Sequence, residues 1–103
     1  MPSAVVHQPR VAWDAALTLV RAAQADDATA SWCRDWVAEL LGADSAAAFL
    51  ATRRRLGDGT AAGNEVQVQE GLWRVRIQDA LSLRPDLAEP LLDRVADTRA
   101  RLA

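Results

Sequence analysis

Lysine and tyrosine are absent from this 103-residue chain, and histidine, cysteine, methionine and phenylalanine occur once each. Each scarcity excludes something. With Cys33 alone, no disulfide closes within the chain and no zinc site is built on cysteine pairs. His7 stands in MPSAVVHQPR with no nucleophile beside it, so no Ser–His or Cys–His pair is in view. No stretch approaches the roughly 20 apolar residues that a membrane span requires. The N-terminal residues lack the apolar segment of a secretion signal. Together with the free thiol, this gives the expectation of a cytoplasmic protein. All 12 basic residues are arginine, a bias that a GC-rich coding sequence accounts for. With 14 acidic residues the formal charge is −2, unlike the basic balance that nucleic-acid binders commonly carry.

What is present is alanine, 22 residues of it, within a chain that is 50% hydrophobic and 25% charged. That composition belongs to a globular domain. So short a chain forms one domain around one core, and a thin one, because alanine buries little. The four tryptophans, Trp13, Trp32, Trp36 and Trp73, carry much of the large apolar area, each able to bury ~150–250 Å².

Residues 1–9 show no periodicity and read as a flexible tail, leaving 10–103 as a single helical domain. From Val11, VAWDAALTLVRAAQA places Trp13, Ala16, Leu17, Val20 and Ala23 at three- and four-residue steps, with Asp14, Thr18 and Arg21 opposite. That spacing predicts an amphipathic helix. QADDATAS is a polar break with Asp27, Thr29 and Ser31 as candidate caps. SWCRDWVAELLG is a second helix with Trp32, Trp36, Val37, Leu40 and Leu41 on one face and Gly42 at its C′ position. SAAAFLATRRRL is a third, capped by Asp44 or Ser45, and GDGTAAGN after it is a loop. RPDLAEPLLDRVADTRARLA opens with Pro85 at a first-turn position and carries Leu87, Leu91, Val95 and Leu102 as its stripe.

NEVQVQEGLWRVRIQDALSL, residues 64–83, is the segment on which the fold class turns. VQVQ and WRVRIQ alternate as strands do, and a β-hairpin at 65–78 turning at Glu70-Gly71 would make the protein α+β. Glu-Gly is a poor hairpin pair, and no other segment supplies a sheet partner. Read as a helix, the same residues carry two apolar stripes. Val66, Trp73, Ile77, Ala80 and Leu81 form one, and Val68, Leu72, Val75 and Leu83 the other. A central helix contacted from both sides would display that pattern. The expected fold is an all-α, compact bundle of about five helices, with the α+β arrangement as the alternative.

GLWRVRIQDALSLRPDLAEPLLDRV resembles the closing segment of a group of small actinobacterial all-helical proteins of unknown function. There a Trp-x-x-Arg-(Leu/Ile) helix precedes a Pro-Asp/Glu start and a Leu-rich helix. VAWDAALTLV is similar to that group's Trp-containing first helix. The likeness covers about a third of the chain, and the polar, strand-like tail frequent in the group is absent here. The resemblance implies an all-helical fold and brings no activity with it.

VAELLGADSAAAFLATRRRLG, within residues 37–56 and their flanks, is similar to a helix-turn-helix. Gly42 would lie at the turn, and Arg53, Arg54 and Arg55 would be placed to meet phosphates. The exposed face of SAAAFLAT offers almost no side chain able to read base edges, so an ordinary helical hairpin explains the same residues. GDGTAAG follows a helix rather than a strand, which makes it a connector and not a phosphate loop. Cys33 reads as a small buried residue. Asp26-Asp27 and the Asp35/Glu39 pair read as solvated charge. Trp32 and Trp36, four residues apart, are either core or a partly exposed anchor for a partner, since tryptophan is enriched at interface hot spots.

No nucleophile–base pair, ligand cluster, cofactor or small-molecule site emerges, and no enzymatic activity is expected. The function expected is a non-enzymatic protein–protein interaction or adaptor module that binds another protein or a second copy of itself. The alternative is a helix-turn-helix DNA-binding regulator using residues 37–56.

Overall fold

Alanine determines how the helices meet. The computed structural model describes residues 8–57 and 63–103. His7 and most of GDGTAAG therefore lie outside the described residues. The first helix, α1 (Gln8–Ala23), buries Ala12, Ala15, Ala16, Ala22 and Ala23 along with Leu19 and Val20. Side chains this short let neighbouring backbones approach from several directions, and α1 is contacted by every other helix of the bundle. Those are α2 (Asp27–Leu41), α3 (Ala43–Leu56), α4 (Glu65–Leu83) and α5 (Ala88–Leu102), the last entered through a single 3₁₀ turn, Pro85–Leu87. The fold is an all-α bundle of five helices with no strand among the described residues. Residues 65–78 lie inside α4, so the hairpin alternative is overturned. The Cα radius of gyration of 13.2 Å matches the ~13 Å of a folded chain of about 100 residues.

The helix ends follow from local chemistry, with some shifts from expectation. α1 starts at Gln8, two residues into the expected tail. Pro9 is tolerated there because first-turn N–H groups have no intrahelical partner to lose. α2 takes in DATA and starts after Asp26 rather than at Ser31. Gly42 alone joins α2 to α3, at φ 97° and ψ 170°, a positive-φ conformation that glycine adopts at little cost, and its N–H bonds the Ala38 carbonyl. Asn64 precedes α4 without a side-chain capping bond, and Pro85, expected in the first turn of the last helix, opens the 3₁₀ turn that leads into it.

The largest fully buried side chains are Phe49 and Leu56 of α3, Leu19 of α1, Ile77 and Leu81 of α4, and Leu91 of α5. Each such burial contributes ~1.5–3 kcal/mol. Phe49 meets Trp73 edge to face with ring centroids 6.5 Å apart, a preferred geometry for paired π systems.

Three of the buried threonines link helices inside this core. Thr98 of α5 accepts a hydrogen bond from Trp36 Nε1 at 3.2 Å and donates to the Arg94 carbonyl at 2.7 Å. Thr52 of α3 accepts from Trp73 Nε1 at 2.9 Å and donates to Gln69 Oε1 at 2.9 Å. Thr18 of α1, expected on a solvated face, is buried and accepts from Arg99 Nε at 3.3 Å. Among the described residues no buried side-chain nitrogen or oxygen lacks a partner.

Candidate interaction groove

The helix expected to lie at the centre of the bundle does not. α4 buries Gln69, Trp73, Ile77 and Leu81 against the core, and its other apolar stripe has no neighbour. Val68, Leu72 and Val75 are 46%, 59% and 51% exposed, and Leu83 at the helix end is 84% exposed. The central position belongs to α1, whose alanine-rich surface hides its role from a reading based on large residues. Trp13, expected on the buried face of α1, is exposed.

α3 and α4 both rest on α1 with their backbones held apart, and long side chains bridge them. Small residues on α3, namely Ser45, Ala48 and Ala51, leave an open trough of about 960 Å³ between the two helices. Its far wall is Val68, Leu72 and Val75 of α4, and Trp73 and Thr52 reach its floor.

A chain of hydrogen bonds fixes that floor. It runs from the Trp73 indole to Thr52, from Thr52 to Gln69, and from Gln69 Nε2 to Glu65 Oε2 at 3.0 Å. Arg55 closes it with Nε 3.3 Å from Glu65 Oε2. The Gln69 hydrogen bond, helped by the Arg55 guanidinium, holds the Glu65 carboxyl below its usual range. Glu65 therefore stands as a fixed negative charge and is poorly suited to proton transfer near neutral pH. At the other end of the trough Arg76 lies over the Trp73 ring, 5.7 Å from its centroid, and bonds Ser45 Oγ at 3.4 Å. Asp79 lies one turn beyond it.

The residues singled out in the sequence fall elsewhere. Trp36 is 3% exposed and tied to Thr98, so it is core. Trp32 is half-buried beneath Arg101, whose guanidinium carbon is 4.1 Å from the ring centroid, a cation–π contact. Neither stands out as an exposed anchor.

Arg53, Arg54 and Arg55 do not form one basic face. Arg53 turns inward, donating to the Ala23 and Ala25 carbonyls at 3.0 and 2.7 Å and pairing with Asp27. It thereby satisfies carbonyls at the end of α1 that the helix leaves without partners. Arg55 belongs to the Glu65 pair, and Arg54 is exposed. The exposed side of α3 carries Asp44, Ala47, Leu50 and Ala51, which supply no donor for base edges.

Cys33 is fully buried, and burial pushes its thiol up to about 12. The nucleophilic thiolate is thus scarce. Among the described residues no three His, Cys, Asp or Glu side chains converge to hold a metal ion. No described helix is long and apolar enough to cross a membrane.

The arrangement offers apolar contact flanked by the Arg55–Glu65 ion pair at one end and by Arg76 and Asp79 at the other. The sequence already contained the signal in Val68, Leu72 and Val75 at four- and three-residue spacing. What it could not show was that no neighbour covers them. Comparison with protein-family models, with curated proteins and with solved structures gives no match.

Proposed function

We propose that this protein is a non-enzymatic protein–protein interaction module whose α3–α4 trough seats an apolar helical segment. One observation carries the reading. Val68, Leu72 and Val75 are each about half exposed, at helical spacing, along an open trough of about 960 Å³. Contiguous exposed apolar surface is costly to keep in water and marks interaction sites. Antiparallel helices with an open cleft between them are suited to helix-in-groove recognition. The fixed floor supports the same reading, because a preorganised surface loses little entropy on binding. The single buried thiol and the lack of a long apolar helix among the described residues are compatible with a cytoplasmic setting.

The alternative, a DNA-binding regulator using residues 37–56, draws less support. Arg53 is committed to the end of α1 and Arg55 to Glu65.

The test is a displayed library of amphipathic helical peptides panned against the protein. Enriched peptides are expected to share apolar residues at three- and four-residue steps and to lose binding to Leu72→Glu. Peptides that bind Leu72→Glu as well as the parent would refute the assignment of the trough.

A further inference from the structure

We infer that the occupant of the trough is a second copy of this chain, docked with its α4 antiparallel to the first about a two-fold axis between Gly71 and Leu72. The inference rests on the trough being a docking site and adds what fills it.

Its first support is charge. The trough carries one positive and one negative group at each end, Arg55 with Glu65 at the start of α4 and Arg76 with Asp79 towards its finish. Fourteen residues along a helix separate Glu65 from Asp79, roughly 21 Å. A two-fold rotation reverses α4. It sets Glu65 beside Arg76 of the second copy and Arg55 beside that copy's Asp79, and symmetry repeats both pairs. A patch that meets itself across a two-fold must be self-complementary in this way.

The second support is the apolar pattern. About an axis between residues 71 and 72, Val68 falls opposite Val75, so the two valines exchange places across the pair. Leu72 then lies beside its own counterpart.

Gly71 is the third. A β-carbon added there would meet nothing within 4 Å, so packing inside this chain does not require glycine at that position. In a helix interior it costs about 1 kcal/mol relative to alanine. A backbone approaching closely at the axis gives that cost a purpose, since the absence of a side chain admits it.

The experiment is sedimentation equilibrium of the intact protein from micromolar to near-millimolar concentration. The mass is expected to rise from 11.1 kDa towards twice that value. Leu72→Glu, at a solvent-exposed position, should keep its helical circular dichroism and stay monomeric. Arg55→Asp and Asp79→Arg should each weaken the dimer by about tenfold or more, since each turns two attractions into two repulsions. An equimolar mixture of the two should recover parent-like affinity, because in the mixed pair both 55–79 contacts are attractive again. A mixture no tighter than the separate variants would overturn the antiparallel register.

A parent protein that stays monomeric throughout overturns the second copy as occupant. So does a dimer indifferent to Leu72→Glu. Failure here is distinguishable from failure of the trough itself. A monomer that still binds Leu72-dependent peptides loses only the self-pairing, whereas peptides indifferent to Leu72→Glu remove the docking site as well.

Discussion

Replacing Thr52 by valine would remove one oxygen from the centre of the trough floor and almost no volume. Thr52 is 4% exposed, Trp73 2% and Gln69 6%, so water cannot readily take the place of the lost hydroxyl. Two partners lose their bond at once, the indole N–H that donates at 2.9 Å and the Gln69 carbonyl that accepts at 2.9 Å. Leaving a buried polar group unsatisfied costs about 1–3 kcal/mol each. The methyl that replaces the hydroxyl recovers part of this, giving a net loss of about 2 kcal/mol. For a domain of about 100 residues that is a fall in Tm of about 10 °C.

Thr98→Val is the internal control. Trp36 Nε1 loses its acceptor there, but the Arg94 carbonyl that Thr98 bonds lies within α5 and keeps its backbone position in the helix. About half the loss is expected, since one group rather than two is orphaned. The assay is urea unfolding followed by tryptophan fluorescence, with the slope m unchanged if only stability has moved. A Thr52→Val loss equal to or smaller than that of Thr98→Val would refute the linked-network account of the trough floor.

Three further outcomes follow from described contacts. Arg53→Ala removes the donors to the Ala23 and Ala25 carbonyls and should cost about 1–3 kcal/mol in thermal or chemical unfolding, with Arg53→Lys recovering only part. Cys33 should resist a thiol-disulfide reagent in the native protein and react at once in denaturant, because burial raises its pKa to about 12; rapid native labelling would contradict its buried position. Glu65 has a folded pKa below its ordinary 4.5, so its contribution is fully present above that value and is lost as pH falls through the folded pKa. Acid unfolding of Glu65→Gln should accordingly show a shallower loss of stability over that acid range than the parent, and identical acid profiles would contradict the coupling to Gln69 and Arg55.

The sequence made helix existence and type legible. Glycines and three- and four-residue spacing locate five helices, although the expected caps Asp27, Thr29, Ser31, Asp44 and Ser45 fall inside α2 and α3, and Glu-Gly at 70–71 argues against a hairpin for a stereochemical reason that the fold upholds. Relative placement was not legible. Two apolar stripes on α4 describe a helix able to contact neighbours on both sides, and the same pattern serves a helix with one neighbour and one vacant face. The α1 hub went unseen because periodicity methods weigh large residues, and its contacts rest on alanines. Thr18, Thr52 and Thr98 were equally hidden, since a threonine is polar in a sequence and becomes core only when an indole or guanidinium supplies its partner. At Arg53 the sequence showed a run of three like charges, and only tertiary structure turns the first of them inward to close α1.

The position of α1 as hub also sets an order of events. It is made first among the described helices, yet its principal neighbours, α4 and α5, are made last. A nascent chain ending at α3 can form the α2–α3 hairpin locally but leaves most of the surface of α1 without a partner. Contacts between distant parts of a chain close slowly, and apolar surface awaiting them is open to misassociation meanwhile. Alanine, weakly apolar and strongly helix-forming, suits a segment that must wait. The helix that holds the bundle together is the first of the described helices to be synthesised and among the last to be enclosed.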